Sequence, residues 1–150
     1  MELTQPDPSA TAAAHRTPSR ALTTAIVGLT LATAYIHLGL GGLLFTLNAA
    51  GYAALATATV VAATVSHPLV RRFDWLPRVG LGGYTVTTIG AYLVMGPYFS
   101  LGWMAKGIEV AILTLLAIDV YRNYGSPAGL IRAALASVGM GSTSRPVDVV

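Results

Sequence analysis

The chain has 150 residues, the size of a single domain. Hydrophobic residues make up 54 % of it, charged residues only 10 %, and the mean hydropathy is +0.65. About a quarter of the residues of a soluble domain are charged, so this composition excludes an ordinary soluble fold and indicates a protein that lies in lipid. The formal net charge is +3, but no helix face combines basic and aromatic residues, so nucleic acid is not an expected partner.

The first 20 residues differ from the rest of the chain. Residues 1–20 are polar and rich in proline, serine, threonine and alanine. No apolar segment directly follows a basic start, so the pattern is not that of a secretory signal. Because this segment has little to bury, we predict a disordered cytoplasmic tail.

Four apolar runs follow, at about 21–40, 48–65, 79–95 and 101–121. Each is close to the roughly 20 residues that a helix needs to cross a hydrocarbon core of about 30 Å. Helices are expected because backbone groups in lipid must be satisfied within the segment. Glycines at 39–42 and Gly96-Pro97 favour tight turns. We therefore predict an all-α, polytopic membrane protein with a four-helix transmembrane bundle, made of two helical hairpins, over residues 21–122.

The basic residues predict the orientation of this bundle. All arginines fall on one side of a four-span threading, at Arg16, Arg20, Arg71, Arg72, Arg78, Arg122, Arg132 and Arg145. The opposite side has only the sole lysine, Lys106, at the start of the fourth span. Arginine-rich short loops face the cytoplasm, so we predict a multi-pass protein with both termini cytoplasmic.

The C-terminal residues 123–150 are predicted to form a second cytoplasmic tail. Within it, Leu130 to Val138 has the pattern of a short amphipathic helix on the membrane surface.

Polar residues inside the spans are the candidates for function, because charged groups are costly in a bilayer. Lys106 and Glu109 are three residues apart, so they share a helix face and can neutralise each other. Two interpretations remain open for this pair. It is either an interfacial ion pair that fixes the depth of the helix, or part of a site for a solute or proton.

A larger polar cluster is predicted in the outer half of the bundle. Helical spacing places polar residues on one face of each span. If these faces point inward, the following side chains converge: His37, Asn48, Tyr52, Tyr92, Lys106 and Glu109. The alternative is that such stripes only hold membrane helices together through close packing and modest hydrogen bonds.

Cofactors and catalysis are not expected. A bis-histidine haem needs two histidines at one depth, whereas His37 and His67 are predicted near opposite faces. No pair of histidines or carboxylates has the spacing of metal ligands, and no cysteine is available for disulfide or redox chemistry. Hydrolase motifs do not occur, so the protein is predicted not to be an enzyme.

Three functions are compatible with the sequence. The first is a non-enzymatic packing or accessory subunit of a homo-oligomer or larger membrane complex, suggested by abundant Gly, Ala and Thr on the spans. The second is a small oligomeric transporter or channel that uses the polar cluster. The third is binding of a quinone or another lipid-like cofactor, with His37 or Tyr92 donating to a carbonyl.

Overall fold

The computed structural model describes residues 19–140. The predicted N-terminal tail lies almost entirely outside the described residues, whereas residues 123–140 of the predicted C-terminal tail are described. Within that range every regular element is a helix. The helices are α1 (Arg20–Leu40), α2 (Leu43–Thr64), α3 (Pro68–Arg72), α4 (Trp75–Met95), α5 (Ser100–Tyr124) and α6 (Pro127–Ser137). The prediction of an all-helical fold is confirmed for this part of the chain.

Three of the four long helices, α1, α2 and α5, are long and apolar enough to cross a membrane. The fourth, α4, has 21 residues, as α1 does, but it is less apolar. Glycine, threonine and tyrosine occupy many of its positions between Gly80 and Tyr92, and Arg78 lies in its first turns. Length and composition therefore support three spans directly.

The helices begin earlier than the apolar runs suggested. Gly41 and Gly42 adopt φ angles of 71° and 83°, a region that only glycine enters without strain. These two glycines alone form the turn, so α2 begins at Leu43 instead of near 48.

The segment between the second and third predicted spans contains α3 and the start of α4. His67 caps α3, because its ring accepts a hydrogen bond from the Leu69 amide at 3.3 Å.

The four long helices form a bundle in which α1 and α4 lie at opposite corners. α1 packs against α2 and α5, and α4 packs against the same two helices. Successive long helices run in opposite directions. The turns at Gly41-Gly42 and Gly96-Pro97 therefore share one end of the bundle, here called the hairpin end. The other end carries the arginines that the structure describes and is here called the arginine end.

The middle of the bundle is filled by large apolar side chains. Ile26 of α1, Leu81 of α4, and Ile112 and Leu116 of α5 pack together, and each is at most 8 % exposed. These four residues are called the apolar plug. Many other large apolar side chains point outward; Val94, for example, is 81 % exposed. This inverted distribution is the one expected when lipid covers the surface.

The last helix, α6, overlaps the stretch 130–138 in which a short helix was expected. It is fixed to the arginine end at its last residue. Arg72 Nε donates to the carbonyl of Ser137 at 2.7 Å, and Trp75 Nε1 donates to the Ser137 hydroxyl at 2.9 Å. Ile131 and Leu135, one turn apart, remain exposed.

Candidate functional site

The carboxylate of Glu109 lies at the centre of a polar network inside the bundle. Glu109 is 0 % exposed, and it lies about 14 Å along α5 from Ser100, at about 1.5 Å per residue. Its Oε2 atom accepts from Lys106 Nζ at 2.5 Å and from the Thr88 hydroxyl at 3.1 Å. This half of the carboxylate is the better satisfied one, because it has a cationic partner and a nearby hydroxyl group.

Lys106 is enclosed as well, being 7 % exposed. Besides Glu109, its ammonium donates to the carbonyl of Thr88 at 3.4 Å and lies 5.5 Å from the centre of the Tyr92 ring. An aromatic face at this distance attracts a cation. The pair is therefore held between α4 and α5.

The second carboxylate oxygen, Oε1, has much weaker partners. Among residues 19–140 its nearest donor is the Thr33 hydroxyl at 3.4 Å, and the Nε2 atom of His37 lies 3.8 Å away. Good hydrogen bonds to a carboxylate are about 2.7–2.9 Å long. One oxygen of a fully buried carboxylate is thus left without a strong hydrogen bond, a situation that is costly in a protein interior.

The orientation of His37 explains why this oxygen is poorly satisfied. Its Nδ1 atom lies 2.8 Å from the carbonyl of Thr33. A carbonyl only accepts, so Nδ1 must carry a proton, and in the neutral imidazole Nε2 then carries a lone pair. Two acceptors, Nε2 and Glu109 Oε1, consequently face each other across 3.8 Å. A single proton placed there would satisfy both.

A chain of hydroxyl groups connects α2 to the same carboxylate. Tyr52 is 0 % exposed, and its hydroxyl lies 2.7 Å from Thr88 Oγ1. The single proton of the Thr88 hydroxyl has two acceptors, the Thr85 carbonyl at 2.9 Å and Glu109 Oε2 at 3.1 Å. Whichever of the two it is donated to, Tyr52 must donate to Thr88. Each of the four long helices thereby contributes a side chain to the network.

Five of the six residues predicted to converge belong to this network, and Asn48 does not. The Asn48 side-chain oxygen is buried without a hydrogen-bond partner, and only its backbone carbonyl accepts, from the Tyr84 hydroxyl at 3.3 Å. Thr33 and Thr88 are members that the predicted cluster lacked. Both lie one turn from a predicted member, His37 or Tyr92, on the same helix face, and that spacing is the signal that could have found them.

Comparisons with protein-family models, curated proteins and solved structures found no match. The chemistry of the site must therefore be inferred from its own geometry.

Aromatic side chains close the network towards the hairpin end. The Tyr92 ring packs edge-on against Tyr98 and Trp103, with centroids 5.8 and 5.5 Å apart, and the last two rings stack at 6.0 Å. Among residues 19–140 there is no group of three or more histidines and carboxylates that could hold a metal ion. The network is thus an enclosed arrangement of one carboxylate, one ammonium, one imidazole, the hydroxyls of Thr33, Tyr52 and Thr88, and the aromatic ring of Tyr92.

A second polar cluster lies at the arginine end. Asp119 of α5 pairs with Arg78 of α4, whose Nε donates to it at 2.6 Å. Arg78 also donates to the carbonyl of Asp74 at 2.6 Å, and the Tyr124 hydroxyl donates to the Asp74 carboxylate at 2.8 Å. Asn123 donates to Asp119 at 2.9 Å. These contacts tie α4 to α5.

Proposed function

We propose that α4 crosses the membrane together with α1, α2 and α5, giving a four-helix transmembrane bundle whose arginine end faces the cytoplasm. The length of α4, its place between α2 and α5, and the position of Arg78 near its first residue support this proposal. Its polar positions are compatible with a span because Thr85, Thr88 and Tyr92 face the bundle interior or lie partly buried against it.

Cysteine labelling would test this topology without interference, because the natural chain has no cysteine. Ser66 precedes α3 and α4, Ser100 follows α4, and both are exposed. We expect Ser100→Cys to react with a membrane-impermeant maleimide in intact cells, and Ser66→Cys to react only after the membrane is opened. Equal labelling of both variants in intact cells would show that α4 does not cross.

We further propose that the Glu109 network is an intramembrane proton-binding site, and that the protein is a small proton-conducting or proton-coupled transporter. The observation that supports this most directly is the pair of facing acceptors, His37 Nε2 and Glu109 Oε1, at 3.8 Å. Ionisable residues inside membrane bundles commonly mark ion pathways and proton relays.

The charges around the site explain how it would work. With a neutral imidazole, the carboxylate of Glu109 is balanced by the ammonium of Lys106. A proton added to His37 would form an imidazolium beside the carboxylate and give the site one positive charge. The hydroxyl chain through Thr88 to Tyr52 could redistribute that proton. Charge and protonation of the site would thus change together.

Replacement of His37 tests this function. In proteoliposomes under an imposed potential, the wild-type protein is expected to acidify or alkalise the lumen, as reported by an enclosed pH-sensitive dye. His37→Gln, which keeps polarity but cannot take up a proton, should reduce the flux about a hundredfold or more, the loss expected when a proton-transfer residue is removed.

The matched control is His67→Gln, which removes an imidazole from the exposed turn before α3. It should conduct like the wild type. Nitrogen NMR of labelled histidine in bilayers gives an independent measurement, with the Nδ1–H tautomer of His37 converting to imidazolium on acidification. Absence of proton flux in every protein, together with an unchanging His37 spectrum, would reject the proposal.

A second candidate is the packing subunit of a homo-oligomer, and a specific surface favours it. Gly83, Thr87 and Gly90 of α4 are exposed at helical spacing, and open space surrounds Gly83 and Gly90. Small residues at such spacing allow close contact between membrane helices. This face of α4 is therefore the most suitable contact surface for a second copy.

Enlarging this surface tests the second candidate. Gly83→Leu combined with Gly90→Leu should shift the protein from oligomer to monomer in mild detergent, measured by light scattering. Gly28→Leu on α1, at another exposed glycine with open space around it, is the matched control. The packing role would be contradicted if the wild-type protein is a monomer, or if the Gly83→Leu and Gly90→Leu double variant remains an oligomer.

A further inference from the structure

The arginine end of the bundle contains a cavity that is separate from the Glu109 network. Its volume is about 680 Å³, within the range of about 300–1,000 Å³ typical of small-molecule sites. It lies between the ends of α1, α2, α4 and α5, and α3 closes part of its rim. Ile26 and Leu116 of the apolar plug contribute to its walls. We call it the arginine-side vestibule.

The charges on its walls are unequal. Three arginines and two aspartates line it, and Arg78 is paired with both of the aspartates, Asp74 and Asp119. The other two arginines, Arg71 of α3 and Arg122 of α5, have no carboxylate within 4.0 Å among residues 19–140. Three arginines against two aspartates give the vestibule one net positive charge, and the guanidinium groups of Arg71 and Arg122 lie outside the ion pairs of Arg78. The vestibule therefore attracts an anion.

We propose that the arginine-side vestibule binds a phosphate group, with Arg71 and Arg122 as its principal ligands. Guanidinium groups bind phosphate oxygens through paired, charge-assisted hydrogen bonds. Ser66 and Tyr121, which also line the vestibule, add hydroxyl donors. Because both aspartates of the vestibule pair with Arg78, they do not compete with a phosphate for Arg71 and Arg122. The site is independent of the proton chemistry proposed for Glu109.

The phosphate can come from two sources, a lipid headgroup or a soluble phosphate compound. Basic pockets between membrane helices on the cytoplasmic side bind anionic headgroups. The apolar part of the wall, with Ala62, Ile26 and Leu116, suits the glycerol and first acyl carbons of a lipid. The shared chemistry is the phosphate, and two probes distinguish its sources.

The experiment uses the full chain in nanodiscs. One probe is phosphatidylglycerol mixed into phosphatidylcholine, with bound lipid counted by native mass spectrometry. The other is inorganic phosphate, titrated into phosphatidylcholine nanodiscs and followed by phosphorus NMR. Whichever of the two probes the wild-type protein binds, Arg71→Gln combined with Arg122→Gln should weaken its binding about tenfold or more, because the double variant lacks both charge-assisted contacts.

Two further variants make the result specific. Ala62→Phe should weaken binding by occupying the vestibule without changing any charge. Arg132→Gln on α6, an exposed arginine outside the vestibule, should leave binding unchanged. Retention of phosphatidylglycerol alone identifies a headgroup site, and binding of inorganic phosphate identifies a soluble ligand. Failure of both probes, equal losses for Arg132→Gln and the double variant, or full binding by Ala62→Phe would overturn the proposal.

Discussion

Glu109→Gln is expected to lower the free energy of unfolding by about 3–5 kcal/mol, the range found when one member of a buried ion pair is removed. The substitution keeps the shape of the side chain but leaves the ammonium of Lys106, 7 % exposed, without its counterion. The carbonyl of Thr88 and the Tyr92 ring remain near that ammonium, but neither carries a formal charge. Denaturant unfolding in mixed micelles measures the change.

Removing both charges separates stability from function. Lys106→Met combined with Glu109→Gln leaves no charge to desolvate, so most of the lost stability should return, as it does when buried ion pairs are replaced whole. Proton flux should nevertheless be absent, because the negatively charged carboxylate that faces His37 and would stabilise the added proton is gone. A stable double variant with wild-type flux would remove Glu109 from the proposed site. A wild-type unfolding curve for Glu109→Gln alone would show that the pair is not buried as described.

Arg78→Gln is expected to cost about 3 kcal/mol, because it leaves the Asp119 carboxylate, 6 % exposed, without a cationic partner. It also breaks the hydrogen bond to the carbonyl of Asp74 and so loosens α4 from α5. The same unfolding measurement reports the loss. Asp119→Asn added to Arg78→Gln should restore part of the stability, since an amide still accepts from Asn123 and has no charge to neutralise.

Arg71→Gln is the control for this prediction. Arg71 also lies at the arginine end, but it is exposed and has no carboxylate partner among residues 19–140. Its replacement should change the free energy of unfolding by no more than about 0.5 kcal/mol. If Arg71→Gln and Arg78→Gln destabilise the protein equally, the loss reflects net charge and not the pair with Asp119.

Hydropathy was sufficient to predict the helical fold and the approximate positions of the long helices. The convergence of His37, Tyr52, Tyr92, Lys106 and Glu109 followed from helical periodicity, because polar side chains repeated on one face of each span. Periodicity predicts which face of a helix turns away from lipid, but it does not predict the depth of each residue or the rotation of the helix about its axis. Asn48, one turn before Tyr52, therefore has no bond to the network although it shares the face.

Other features depended on packing that no pattern contains. Asp119 is one turn from Arg122 along α5, yet it pairs with Arg78, because the adjacent helix α4 brings that guanidinium to 2.6 Å. Likewise, the tautomer of His37 depends on one carbonyl, that of Thr33, at 2.8 Å. Both contacts depend on the relative position of atoms to within about an ångström. Hydropathy and residue spacing along one helix do not determine such positions.

The apolar plug has an electrical consequence for the proposed site. Water in the arginine-side vestibule would bring the electrical potential of the solution at the arginine end inward as far as Ile26 and Leu116. The membrane voltage would then fall mainly across the plug and the closed half of the bundle beyond it, over less than the full bilayer thickness. Moving one charge through the whole voltage is worth about 2.3 kcal/mol per 100 mV. Proton occupancy beside Glu109 would therefore respond to membrane voltage as well as to acidity.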